Sequence, residues 1–220
     1  MADEIKNAFD ELARRYNRFF YDTFLSTERL IFTKTLTAIE TKRLGELKLS
    51  TGVMANSTIK MRYDYNIFNI FYGEAIIRMQ FSSAKNIFAF VGFKEYPEDP
   101  KSQMAENHSG IIVENEKLYF STGNGKFQQK VEIVGIDITR DFVYKIKYNE
   151  LHTCPLPQII PYMDTFRIIT PDRIWTMNQK NSTYPPSDTG YYFIVFLKNL
   201  TNEDKFINLK SFVYLQEYAD

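Results

Sequence analysis

Beyond Ser26 the chain is written in period two. Runs such as STIKMRYDYNIF, KNIFAFVGF, KLYFSTG and FVYKIKYNE alternate apolar with polar side chains, as pleated strands do when one face lies on a core. LIFTKTLTAIE, GELKLSTG, YGEAIIRMQF, SGIIV and KVEIVGIDI follow the same pattern, and turn signals stand at Thr51-Gly52, Asn56-Ser57, Asn115-Glu116 and Gly123-Asn124-Gly125. No helical crossover separates these strands, which excludes an α/β sheet and predicts an all-β, antiparallel two-sheet β-sandwich. Composition agrees: 19 Phe and 15 Tyr against 9 Gly in 220 residues suit half-buried strands, not a disordered chain.

Ahead of the strands, Ile5, Phe9, Leu12, Tyr16 and Phe19 recur at helical spacing, with Asp3, Glu4, Asp10 and Glu11 early and Arg14, Arg15 and Arg18 late. That rhythm, and a charge order complementing the helix dipole, predict an amphipathic N-terminal α-helix over residues 1–25. Its seam can fold onto the sandwich or pair with copies of itself, so these five residues are the candidates for oligomerisation. Residues 26–220 are expected to form a single β-sandwich domain with a proline-rich excursion at 151–190. The excursion holds six of the eight prolines and the sole Trp, with short strands expected at FRII and RIWTM. YYFIVFLKNL and FINLKSFVYLQEY then return as an expected central pair of one sheet.

Several function classes fall away. Lys plus Arg and Asp plus Glu balance at 27 each, leaving no global field to draw in nucleic acid. Cys154, the only cysteine, has no thiol partner for a disulfide or a metal site. Neither a secretory leader nor a long apolar span is legible, so no membrane insertion is expected. The N-x-S/T sequons at Asn56, Asn107, Asn181 and Asn199 would suit a glycosylated surface protein, but this composition gives roughly two by chance, so they weigh little. No GxSxG, HExxH or CxxC string occurs, and Gly123-Asn124-Gly125 leads into a strand where a phosphate loop needs a helix.

The order YGEAIIRMQF, NIFAFVGF, a polar loop, NHSGIIVENEKLYFSTGNG and VEIVGIDITRDFVYKIKYNE resembles the concanavalin A-like lectin/glucanase (laminin-G-like) jelly roll. Residues 72–150 carry the likeness, and FINLKSFVYLQEY resembles the family's terminal strand. The resemblance implies a jelly roll that hosts lectins, glycoside hydrolases, adhesion modules and viral or phage surface domains. Hydrolases on this fold carry an E-x-D-x-E type strand that aligns two carboxylates on one face, and this chain has none. A non-enzymatic protein with no catalytic residues is therefore expected.

For sugar binding, the candidates are loop aromatics with amide, carboxylate or imidazole groups: Tyr96, Asn107, His108, Trp175, Asn178, Tyr184 and Asp188. Trp175, between Ile174 and Met177, also suits a core position. Glu95, Glu98 and Asp99 could hold calcium, as in relatives on this fold, or form a solvated acidic loop; otherwise no cofactor is expected. A lectin-like jelly roll without a leader but with an added helix fits a structural or attachment protein of a virus or phage particle. Such a protein would assemble in the host cytoplasm through self-association or other virion proteins. The alternative is a stand-alone carbohydrate-binding protein, and a polysaccharide-degrading enzyme comes third.

Overall fold

The computed structural model describes residues 16–24, 27–43, 45–64, 73–104, 106–123, 125–126, 128–148, 155–161, 173–174 and 190–217. All regular elements among them are strands. The first five are β1 (Tyr16–Asp22), β2 (Leu30–Lys34), β3 (Ile39–Arg43), β4 (Glu46–Ser50) and β5 (Thr58–Tyr63). Next come β6 (Gly73–Phe81), β7 (Ile87–Lys94), β8 (His108–Glu114), β9 (Lys117–Gly123) and β10 (Gln128–Ile133). The last five are β11 (Phe142–Tyr148), β12 (Pro155–Pro161), β13 (Arg173–Ile174), β14 (Tyr192–Asn199) and β15 (Phe206–Glu217). They form two antiparallel sheets. The eight-stranded one runs β13-β12-β11-β6-β15-β4-β3, with β1 added on β15, and the seven-stranded one runs β10-β9-β8-β7-β14-β5-β2.

The inward-facing residues interdigitate between the sheets. Phe193 of β14 stacks on Phe212 of β15 with ring centroids 4.1 Å apart and planes 8° from parallel. Phe93 and Tyr63 pack around that pair at 5.7 Å and 5.9 Å. Among the expected turns, Asn115 and Glu116 both take positive φ, the geometry that lets two residues join β8 to β9 with matching twist, and Gly52 and Asn56 take positive φ at theirs.

Four sequence expectations change. Residues 16–22, assigned by their spacing to the second half of a helix, form β1 instead, so Tyr16 and Phe19 lie on a strand. YNRFFYD is dense in aromatics that favour strands, and β1 pairs with the second half of β15, Asp22 opposite Phe212, along an edge that β4 leaves open beyond Leu209. Asp22 ends the strand by accepting from the backbone N–H of Phe24 at 2.6 Å and from the Tyr63 hydroxyl at 2.7 Å. Ile5, Phe9 and Leu12 lie outside the described residues.

LIFTKTLTAIE is not one strand: Ala38 N–H donates to Thr35 at 3.1 Å, Leu36 takes φ 54°, and the two halves enter different sheets. The closing strands are each central, but in opposite sheets, because residues 200–205 cross between the layers. In the excursion, β12 pairs with β11 although it contains three prolines. Pro155, Pro157 and Pro161 share parity, so their missing N–H donors fall on one side of the strand and the other side keeps its ladder. FRII and Trp175 lie outside the described residues, and of RIWTM the described part is the short strand Arg173–Ile174.

Candidate functional site

The outer faces of the two sheets differ. On the eight-stranded sheet it carries paired charges beside the part-buried Ile76, Val143 and Val213, with Asp141 accepting from Lys210 at 2.6 Å and from Arg78 at 3.0 Å. On the seven-stranded sheet it carries a second apolar cluster of Phe90, Ile112, Ile194 and Phe196, with Phe88, Tyr119 and Tyr192 packed against it. Alternation explains the placement: Ile87, Ala89, Val91 and Phe93 enter the main core, so Phe88 and Phe90 must point the other way. Gly92 and Gly110 face each other across β7 and β8, and a Cβ on Gly110 would lie 2.8 Å from the Cα of Gly92. This close approach brings the two backbones together beneath the cluster.

The loop between β7 and β8 lies across this face. Met104, 1% exposed, is plugged into the apolar cluster. On one side Lys60 Nζ donates to Pro97 O at 2.8 Å and to Asp99 Oδ1 at 2.5 Å. On the other, Gln128 accepts from Met104 N–H at 3.1 Å and donates to Ser102 O at 3.3 Å.

A polar circuit lies under the loop's root. The Nδ1 of His108 sits 2.7 Å from the carbonyl of Glu106, so that nitrogen carries the proton, and Nε2 accepts from Ser121 Oγ at 2.8 Å. Gln128 Nε2 donates to the same Ser121 Oγ at 3.0 Å. Burial, with a smaller push from the Lys94 and Lys130 ammonium groups, lowers the His108 pKa to about 4 despite opposing help from Glu106. The neutral tautomer demanded by the hydrogen bonds is thus the one the environment favours. A Cβ on Gly123 would come within 2.5 Å of the His108 ring, so this imidazole needs glycine opposite it. Lys94, fully buried, donates to Tyr96 O at 3.1 Å and lies 3.4 Å from Glu106 and 3.7 Å from Glu98.

Beside the loop opens a groove of about 510 Å³. Phe88 and Phe196, with ring centroids 6.0 Å apart, form its floor, and Pro100 and Ser102 form the loop-side wall. Asp99, Glu114, Asn115 and Lys198 supply charged and amide groups along the rim. Of the sugar-binding candidates, Tyr96 is 50% exposed on the loop, whereas Asn107 (9%) and His108 (0%) are buried in its root. Trp175, Asn178, Tyr184 and Asp188 lie outside the described residues. The three loop carboxylates turn to different partners: Glu95 accepts from Asn107 at 2.6 Å, Glu98 faces Lys94 and Asp99 pairs with Lys60. Among the described residues no group of three or more His, Cys, Asp or Glu side chains converges on a cation position. As placed, the trio does not make a calcium cage, and an ion there would have to displace all three contacts.

Two sequons are also committed structurally. Asn199 Nδ2 donates to Gly52 O and Glu203 O at 3.0 Å and 2.7 Å, and Asn107 Nδ2 is taken by Glu95. The floor aromatics escaped sequence reasoning because NIFAFVGF and YYFIVFLKNL read as core strands. Their apolarity on both parities was the available signal, since a strand with one wet face alternates more cleanly.

No protein-family model and no curated protein matches the sequence. Solved structures do match the fold. Winged bean acidic lectin, complexed with methyl-α-D-galactose, aligns with TM-score 0.60 at 9% identity, covering 92% of this chain and 99% of that one. The exoplasmic/lumenal domain of VIP36, bound to calcium and Man3GlcNAc, gives TM-score 0.61 at 10% identity, covering 89% and 86%. The fold is the concanavalin A-like jelly roll. A third jelly roll, solved in work on endo-acting O-glycanases of the human gut microbiota that initiate mucin breakdown, aligns with TM-score 0.64 at 9% identity, covering 90% and 99%. At such identities the likeness speaks for the fold alone. Among the described residues no helix is long and apolar enough to cross a membrane.

Proposed function

We propose that this jelly roll is a non-enzymatic, lectin-like carbohydrate-binding protein, and that the groove beside the β7–β8 loop is its glycan site. The observation carrying this reading is the pairing of an aromatic floor, Phe88 and Phe196, with a rim of Asp99, Glu114, Asn115 and Lys198. A sugar ring has an apolar face that stacks on aromatics and an equatorial belt of hydroxyls that needs both donors and acceptors. The groove supplies each. Lectins among the structural neighbours, named with galactoside and mannose-containing ligands, support the same direction. A virion role finds no support in the fold or in these likenesses, and the carbohydrate-binding alternative replaces it.

Hydrolysis has one observation to weigh, since Asp99 and Glu114 both line the groove. Each is held by its own ammonium partner, Lys60 at 2.5 Å and Lys130 at 2.6 Å, where a hydrolytic pair faces each other across the bond to be broken. The test is a glycan array probed with the full chain beside Phe88→Ala and Lys198→Ala, with release of reducing ends measured on every bound glycan. Binding should fall about tenfold or more in Phe88→Ala, the equivalent of about 1.4 kcal/mol, with no reducing ends released. Equal binding by all three proteins would remove this groove as the site, and released reducing ends would replace the lectin reading with an enzyme.

A further inference from the structure

On the far side of the β7–β8 loop lies a second recess, of about 620 Å³, bounded by Gln103 and Met104 of the loop and by Gln128 and Lys130 of β10. It opens on the same outer sheet face as the aromatic groove. Lys130 Nζ sits at the boundary, 2.6 Å from Glu114, which lines the first groove, and 3.3 Å from Ser102 in the loop. What separates the two recesses is residues 97–104.

How that segment is held matters. Among the described residues, the loop's one backbone-to-backbone bond closes its root, Glu95 N–H to Asn107 O at 3.0 Å, and none ties 96–104 to a strand. Its attachments are side-chain contacts: Lys60, with the buried Lys94 at 3.7 Å from Glu98, at one end, and Gln128, Lys130 and the Met104 plug at the other. Asp99 is half exposed, so its ion pair with Lys60 contributes little. Beneath Met104, Phe90 and Ile112 continue the apolar surface that begins at Phe88 and Phe196. A segment held by side chains alone, over a face apolar enough to bind something else, belongs to the low-stability end of a structure and opens without global unfolding.

We propose that residues 97–104 form a displaceable strap across one elongated cleft, and that the cleft takes an extended, multi-unit glycan chain in place of a single sugar ring. When the strap lifts, Phe90 and Ile112 join the aromatic floor, and the two recesses become one track. Its far end presents Gln128 and Lys130 as donors for hydroxyl or acidic sugar groups. The choice of a glycan as occupant rests on the reading of the groove above; the mobility of the strap does not.

Hydrogen exchange by mass spectrometry on the full chain, without any glycan, reads the strap directly. Amides of 97–104 should exchange at least tenfold faster than those of β7 and β8, and Met104→Ser should at least double the fluorescence of 8-anilinonaphthalene-1-sulfonate. On an array carrying methyl-α-D-galactoside, methyl-α-D-mannoside and galactose, mannose and glucose oligomers of two to six units, signal should rise with length. Strap amides that exchange only together with β7 and β8 would overturn the proposal whatever the glycan result. Fast strap exchange with equal binding of single rings and oligomers would overturn the extended cleft, and fast exchange with no glycan bound would keep the strap and sink the glycan reading.

Discussion

Along β14, Phe193, Val195 and Leu197 point into the sandwich, while Ile194 and Phe196 point out beneath the β7–β8 loop. Both sets are buried, yet by different means. The inner set meets a second sheet whose residues are fixed by backbone ladders on both sides, as the Phe193–Phe212 stack shows. The outer set meets a strap anchored by side chains, with open recesses at both its flanks. Burial against a ladder stabilises the fold, whereas burial against a strap stores a surface that a ligand can claim.

That contrast breaks in measurable ways. The largest effect is expected at the inner face: Phe193→Ala removes a ring from the inter-sheet stack and should cost about 3–5 kcal/mol in urea unfolding. A loss below about 1 kcal/mol would mean the two sheets are less closely coupled than the stack implies. Next comes the buried imidazole. His108 stays neutral in the fold down to about pH 4, while in the unfolded chain it takes a proton below about 6.5. Stability it contributes above pH 6.5 is therefore lost as pH falls through that value, by about 3 kcal/mol, and levels off near pH 4. Replacement by His108→Gln should flatten this part of the profile; an unchanged slope between pH 6.5 and 4.5 would assign it to other groups.

At the meeting point of the faces, Gly110→Ala should cost about 1–3 kcal/mol, since the new Cβ would lie 2.6 Å from Val91 O and has backbone, not a flexible chain end, to displace. Thermal melts check this, and a neutral result would show that β7 and β8 can move apart. The smallest stability effect belongs to the outer face: Phe88→Ala, half-buried at the groove floor, should cost about 1 kcal/mol or less than the inner Phe while binding falls about tenfold. If it destabilises as much as Phe193→Ala, the outer cluster is a second structural core.

The sandwich was legible because period two is a local property of the backbone, and several turns carried residues that tolerate positive φ, as Asn56 and Asn115 do. Which sheet a strand enters is not local. Thr35–Ala38 reverses the chain with no Gly or Pro, so β2 and β3 read as one strand. At β1, helical spacing and strand composition coexisted in one heptapeptide, and the open edge of β15, nearly two hundred residues away, decided between them. The stretch from Lys94 to Ser109 is too long for a hairpin loop on sequence alone, but its task depends on what lies beneath it. Tyr96, Asn107 and His108 stand out in the sequence as loop residues with polar tips; two of them are buried in the loop's root, and the groove is floored instead by Phe88 and Phe196, outward residues of strands that read as core, and walled by Asp99 to Ser102.

The outer face of the seven-stranded sheet is the one proposed to bind ligand. Amide chemical-shift mapping, with the strongest glycan from the array titrated into labelled protein, tests it directly. The expected perturbations gather at Phe88, Asp99 to Ser102, Glu114, Asn115 and Lys198. Perturbations gathered instead on the eight-stranded sheet, at the small recess of Thr41, Arg43, Lys48 and Phe206, would place the site on the opposite face and contradict the claim.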